Sequence, residues 1–304
     1  MAKFFSGGPA PDPLYDACRQ HWNKIPVRRR LERMWAAYAP FCPDAHFLSD
    51  ARSHFVARTW ELYLAASLLR RGFKLSRPPA KGPDLLATIG NRRVWIEAVA
   101  PTSGDGNDRV PTRDERGFKR GNIWQGHPPK EDALILRCAS AISAKLQKLN
   151  EYARVGVVRD DDACIIALTL GGILDADVSS PDLPIGVKAV FGIGELFMTV
   201  PIGSGEREMG YAGRPVVNKR SGAIVDARLF CAPESSIVSG LLYTDCGIWN
   251  APRLAGSDLV VVRNPAARVP MSPGMLRFPR EEFSVNAEGF LDRQKRKPRS
   301  RKAK

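Results

Sequence analysis

The sequence predicts a mixed α/β fold, with a central sheet flanked by helices and extended by further strands toward the C-terminus. Three observations carry that expectation. Residues 50–71 have apolar positions at helical spacing and are closed by Gly72. Residues 84–99 read as two strands around the turn Gly90-Asn91-Arg92. A second helical pattern over 129–152 leads to CIIALTL at 164–170, an unbroken apolar run suited to the middle of a sheet. At 304 residues the chain is long enough to bury a substantial core.

Taken in order, residues 1–13 are rich in Gly and Pro and read as irregular. Residues 14–22 fit a short helix whose far limit is marked by Pro26. A second helix follows over 28–38, with Leu31, Met34, Trp35 and Tyr38 at helical spacing and Arg28-Arg29-Arg30 at its start. Asp50 suits the N-cap of the 50–71 helix. Within that helix Phe55, Leu62 and Leu69 form an apolar line widened by Val56, Trp60, Tyr63 and Leu64. Glu61 falls at the margin of the buried face, with Arg58 as a candidate ion-pair partner.

A short strand at 73–75 and a polar Pro/Gly loop at 77–83 precede the strand at 84–89. In the returning strand at 93–99, a period of two puts Val94, Ile96 and Ala98 on one face and Trp95, Glu97 and Val99 on the other. Residues 101–129 form a long Gly-rich loop. The 129–152 helix has Ile135, Cys138, Ala139, Ile142, Leu146 and Leu149 as its core line. Arg137, Ala141, Lys145 and Lys148 lie on a neighbouring face, and Lys145 borders the buried side. Farther on, 189–200 fits helix or strand, 214–218 and 223–230 flank a hairpin turn, and 237–244 and 258–263 read as strands. The expected organisation is an N-terminal helical arm (1–49), one α/β domain (50–291, with its core at 50–170 and a β-rich extension at 171–291) and a disordered basic tail (292–304).

Lys and Arg number 46 against 32 Asp and Glu, a net charge of +14, which favours a polyanionic partner such as nucleic acid. The tail alone holds eight Lys/Arg against one Asp. The long loop offers Arg109, Arg113, Arg116, Lys119 and Arg120 to phosphates, with Phe118 or Trp124 for stacking, and Arg137 joins this set from the following helix. No stretch approaches the roughly 18 apolar residues of a membrane helix, so no membrane partner is expected. Six cysteines without a CxxC pair, and no apolar leader at the N-terminus, fit a reduced cytoplasmic protein. Cys18, His21, Cys42 and His46 are zinc-ligand types, but their order is not that of the usual fingers and Cys18 lies in a helical pattern. GxSxG, the P-loop and GxGxxG followed by a helix are all absent from the sequence, which lowers the obvious hydrolase, NTPase and dinucleotide readings.

Glu97 is the residue least easily explained by packing, because an acid inside an apolar strand is costly unless neutralised. With Glu61 on a helix and Asp84 at a Gly-Pro-Asp turn, three acids are spaced so that they can converge on one divalent cation. Mg²⁺ takes oxygen ligands; Asp84 and Glu97 supply carboxylates, the Ala98 carbonyl a third oxygen, and Glu61 could hold a water.

Pro83-Asp84, then Glu97-Ala98-Val99 with its acid thirteen residues after Asp84, and Glu61 on the preceding helix together give residues 50–170 their character. In this order of elements the region resembles the PD-(D/E)XK nuclease superfamily, the restriction-endonuclease-like fold, as a divergent member. The resemblance implies Mg²⁺- or Mn²⁺-dependent hydrolysis of phosphodiester bonds in nucleic acid, with DNA the expected polymer and a cation-activated water at Asp84 and Glu97. It also leaves room for a homodimer. The lysine of the pattern is replaced by Val99, and Lys145 is the candidate to supply it from another element, with Arg137 second. Two other readings stand beside this one. The first is a catalytically inactive nuclease-like fold that binds nucleic acid. The second is an unrelated α/β protein whose acids pair with Arg58, Arg92 or Arg93.

Overall fold

A computed structural model of the chain describes residues 2–121, 123–200, 207–277, 280–286 and 288–295. Helices α1 (Pro13–Gln20), α2 (Ile25–Tyr38), the single turn α3 (Phe47–Asp50) and α4 (Phe55–Arg70) come first. Strands β1 (Lys74–Ser76), β2 (Leu85–Ile89) and β3 (Arg92–Val99) follow, then the hairpin β4 (Gly117–Arg120) and β5 (Ile123–Gly126). Helix α5 (Glu131–Arg154) leads to β6 (Ala163–Thr169) and α6 (Ile185–Phe191). The remainder is β7 (Ile193–Thr199), β8 (Glu208–Gly213), β9 (Val216–Asn218), β10 (Ile224–Asp226), β11 (Gly240–Thr244), β12 (Val260–Arg263), β13 (Glu281–Val285) and β14 (Leu291–Lys295).

Eight strands form one mixed sheet in the order β1-β2-β3-β6-β11-β12-β13-β14. The parallel β3–β6 pair is joined through α5, the crossover such a pair requires. Its two faces follow the alternation of β3. Val94, Ile96 and Ala98 pack with α2 and α4, whereas Trp95 packs with α5 and α6. The sheet is therefore covered by helices on both sides, and β6 is buried along its whole length.

Local chemistry sets several boundaries differently from expectation. Asp50 is not the N-cap of α4; it ends α3, and His54 occupies the cap without a side-chain bond. The capping is done from a distance, because Asp12 accepts from the Phe55 amide at 3.0 Å while also capping α1 through Leu14 at 2.8 Å. Pro26 does not stop the first helix but opens α2, where its missing N–H costs nothing. Residues 189–200 are both helix and strand: Gly192 takes φ +65° between α6 and β7, a left-handed conformation that ends the helix. The long loop contains the β4–β5 hairpin.

The first residues do not hang free. Phe4 and Tyr15 are fully buried against Phe55, with ring centroids 6.4 and 5.8 Å from it, so the N-terminal helices form a layer over α4 rather than an arm. At the other end, residues 292–295, expected within a disordered tail, belong to β14, where Arg293 pairs with Glu281 at 2.9 Å. Residues 296–304 of that tail lie outside the described residues. No helix among the described residues is long and apolar enough to cross a membrane.

Candidate active site

Glu97 points to the α5 face of β3 and has no solvent exposure. Two amines from α5 meet its Oε1: Lys145 Nζ at 2.7 Å and Lys148 Nζ at 2.8 Å. The i, i+3 spacing of the two lysines puts both on the helix face above β3. Lys148 also lies 5.5 Å from the centre of the Tyr152 ring. Burial pushes the Lys148 ammonium down, but the Glu97 carboxylate outweighs it and holds the group above the usual lysine range. The second oxygen, Glu97 Oε2, is buried and has no partner among the described residues.

Asp84 stands at the entrance to β2. The β2–β3 register pairs Leu85 with Ile96, which brings Asp84 opposite Glu97. Its Oδ2 accepts from the Ala98 amide at 2.7 Å. Burial, and then the negative charge of Glu97, raise its pKa, with Lys145 and Lys148 acting against them. Ala98 thus anchors Asp84 through its N–H, a role that sequence reasoning, looking to its carbonyl, did not assign.

Glu61 comes from α4, on the opposite side of the sheet. It is not at the margin of the buried face but 8 % exposed, and Arg58 pairs with it at 3.0 Å. Arg58 is a hub, holding Asp44 at 2.8 Å and Asp50 at 2.7 Å as well. Even so, the Glu61 carboxyl is pushed up to about 8 by burial and by the charge of Asp84, with Arg58 and Lys145 opposing. Asp84 is therefore the electrostatic link between two acids on opposite faces of the sheet.

The three acids are neighbours but do not form one cage. Among the described residues no group of three or more His, Cys, Asp or Glu side chains is placed to hold a metal ion, and this covers the Cys18/His21/Cys42/His46 set too. Glu61 comes from α4 and is held by Arg58, whereas Glu97 comes from β3 and is held by the α5 lysines. What fits a divalent cation is the pair Asp84 and Glu97, because the orphaned Oε2 is an anionic ligand with nothing to satisfy it. One or two carboxylates completed by water and phosphate oxygens suit Mg²⁺.

The cations divide into those at the site and those used elsewhere. Lys145 reaches Glu97; Arg137 does not, its Nε donating to the Thr102 carbonyl at 2.9 Å. Arg92 donates to the Pro270 carbonyl and Arg93 pairs with Asp162 at 3.5 Å, so neither engages the three acids. In the loop, Arg109 is held by Glu115 at 2.7 Å, and Arg116 is buried among the His127 and Leu174 carbonyls and Asp175. Arg113 lies over Trp124 at 4.5 Å and near Asp175. Lys119 and Arg120 are exposed on β4. Lys148 is the site residue that sequence reasoning left out, although it shares a helix face with Lys145. No protein-family model, curated protein or solved structure matches this chain.

Proposed function

We propose that the chain is a metal-dependent nuclease that hydrolyses phosphodiester bonds in nucleic acid, DNA first, in the manner of the PD-(D/E)XK superfamily. The observation that carries the reading is a fully buried Glu97 on a central strand, with Asp84 opposite and Lys145 Nζ at 2.7 Å. Burying a carboxylate there is costly unless it is neutralised, and its second oxygen is left without a partner among the described residues. Bound by Asp84 and Glu97, Mg²⁺ or Mn²⁺ supplies the positive charge that polarises a phosphate and favours ionisation of water near neutral pH.

The remaining roles fall to the chain. Asp84 is oriented by the Ala98 amide and Glu97 by the two lysines. In this reading Lys145, whose Nζ lies 2.7 Å from Glu97, takes the role of the lysine that Val99 replaces, its ammonium offsetting the charge that develops on phosphate during in-line attack. Glu61, whose carboxyl is pushed up to about 8 by burial and by Asp84, acts on the site through its charge coupling to Asp84. Six free cysteines fit the cytoplasm as the compartment of this activity.

One observation favours a second reading, a nuclease-like fold that binds nucleic acid without cutting it. Both lysines sit on the same Glu97 oxygen, which neutralises the acid without any cation. The two readings part in a cleavage assay with plasmid, linear duplex, single-stranded DNA and RNA, in Mg²⁺, Mn²⁺ or EDTA. Cutting that EDTA and Glu97→Ala both abolish is the expected result. Salt-sensitive binding with no cutting in either metal would leave only the second reading.

A further inference from the structure

The start of α2 carries positive charge with little to balance it. Arg29 and Arg33 are exposed, lie i, i+4 on one helix face, and have no acidic partner among the described residues. Such a like-charge pair disfavours the helix that bears it. Arg28 donates to the Arg19 carbonyl at 2.6 Å, which leaves its charge intact, and Arg30 likewise bonds only carbonyls, those of Ala251 and Ile248. Glu32, the acid that lines the groove, accepts from the amides of Phe4 and Phe5 at 2.8 and 3.1 Å and keeps its charge, which offsets one cation and leaves the groove net positive. Lys3, Arg28, Arg29 and Arg33 thus face an open groove of about 950 Å³. Trp22, 82 % exposed, sits in the turn immediately before α2.

The far end of this helix leads to the acids. Tyr38 packs on Phe47 at 5.6 Å, Arg58 lies over Phe47 at 5.0 Å, and Arg58 holds Glu61. Nine residues separate Arg29 from Tyr38, or about 14 Å along the axis at ~1.5 Å per residue.

We propose that the α1–α2 groove is a phosphate-backbone site for nucleic acid, additional to the Asp84 and Glu97 site; the inference rests on the nuclease reading for its ligand. Charge complementarity selects that occupant: several unneutralised cations along one helix match a regular polyanion.

The test is equilibrium binding in EDTA, so that no cutting intervenes, of a fluorescent DNA duplex at several salt concentrations. The double variant Arg29→Gln/Arg33→Gln is compared with wild type and with Arg29→Lys/Arg33→Lys. Every phosphate that a variant fails to neutralise lowers the slope of log K against log salt by about 0.9, so the Gln pair is expected to lose up to ~1.8 and the Lys pair to keep most of it. Thermal unfolding should show the Lys pair level with wild type and the Gln pair level or slightly higher, since neither side chain has an acidic partner to lose and the Gln pair relieves the like-charge repulsion. An unchanged slope in the Gln pair overturns the groove while leaving the nuclease reading to the cleavage assay. A reduced slope in a protein that cuts nothing in any metal keeps the groove and removes the nuclease. Equal competition by poly-glutamate would mark an acidic-protein surface, and absence of DNA binding by wild type would leave the groove without its ligand; either result overturns the proposal.

Discussion

At the scale of single residues, the pairing of Glu97 with its two lysines bears on stability and on the proposed chemistry. Removing Lys145 leaves Lys148 on the same oxygen, so Lys145→Ala should fold while losing about 10²–10³ in cleavage rate, as when a group facing developing charge is deleted. Lys148→Ala should cost less, since its side chain is 44 % exposed and Lys145 stays in place. Removing both strands a buried carboxylate and should destabilise the protein by about 3–5 kcal/mol in urea unfolding. Glu61 makes a pH prediction. The unfolded chain releases its proton near 4.5 and the folded protein near 8, because burial and the Asp84 charge disfavour the anion. Folding therefore retains a proton across that interval, and stability is highest below it and falls as pH rises through it. Melting temperature should drop between pH 5 and pH 8 without divalent cation. Glu61→Gln should flatten the drop, and Mg²⁺ should raise the melting temperature more at pH 8 than at pH 5.

At the scale of elements, the site depends on how α4 and α5 are seated on the sheet. Helix α5 is the crossover between β3 and β6, so the lysines it carries are held above the acid by the same connection that makes the strands parallel. Helix α4 begins without a cap of its own and relies on Asp12. Because Asp12 serves the first turns of both α1 and α4, Asp12→Ala should lower stability by about 2 kcal/mol, at roughly 1 kcal/mol per cap. Cleavage per folded molecule should be unchanged, and thermal unfolding beside activity at low temperature would check both. A loss of activity at full stability would instead place Asp12 in the site.

Over the whole molecule, the sheet and the charge have separate consequences near the C-terminus. Strand β14 covers β13 and pairs Arg293 with Glu281, which is nearly buried. A chain ending at Phe290 loses that strand and exposes the β13 edge, so it should melt lower than one ending at Lys295 and associate more readily. The Lys295 truncation removes six further Lys/Arg, and its non-specific DNA binding should weaken with a smaller salt slope than the full chain shows. Equal melting of the two truncations would mean that β14 adds nothing to the sheet.

What the sequence determined by itself was whatever is written in short-range periodicity. The alternation in β3 sorted Glu97 from Ala98, the helical spacing of α5 placed Lys145 beside its buried face, and the apolar run of β6 located the centre of the sheet. These are readable because side chains i+2 or i+4 apart share a face whatever the rest of the chain does. The tertiary structure alone decided the partners. Asp12 caps a helix 43 residues away, and Arg58, already paired with Glu61 by helical spacing, also gathers Asp44 and Asp50. Arg116, basic and in a loop, is buried on carbonyls and Asp175, and a charge-rich terminus begins as an edge strand because Glu281 awaits Arg293. Long-range pairing depends on which surfaces the sheet brings together, and the same sheet sets Glu61 with Arg58 on its α4 side and Glu97 with two lysines on its α5 side.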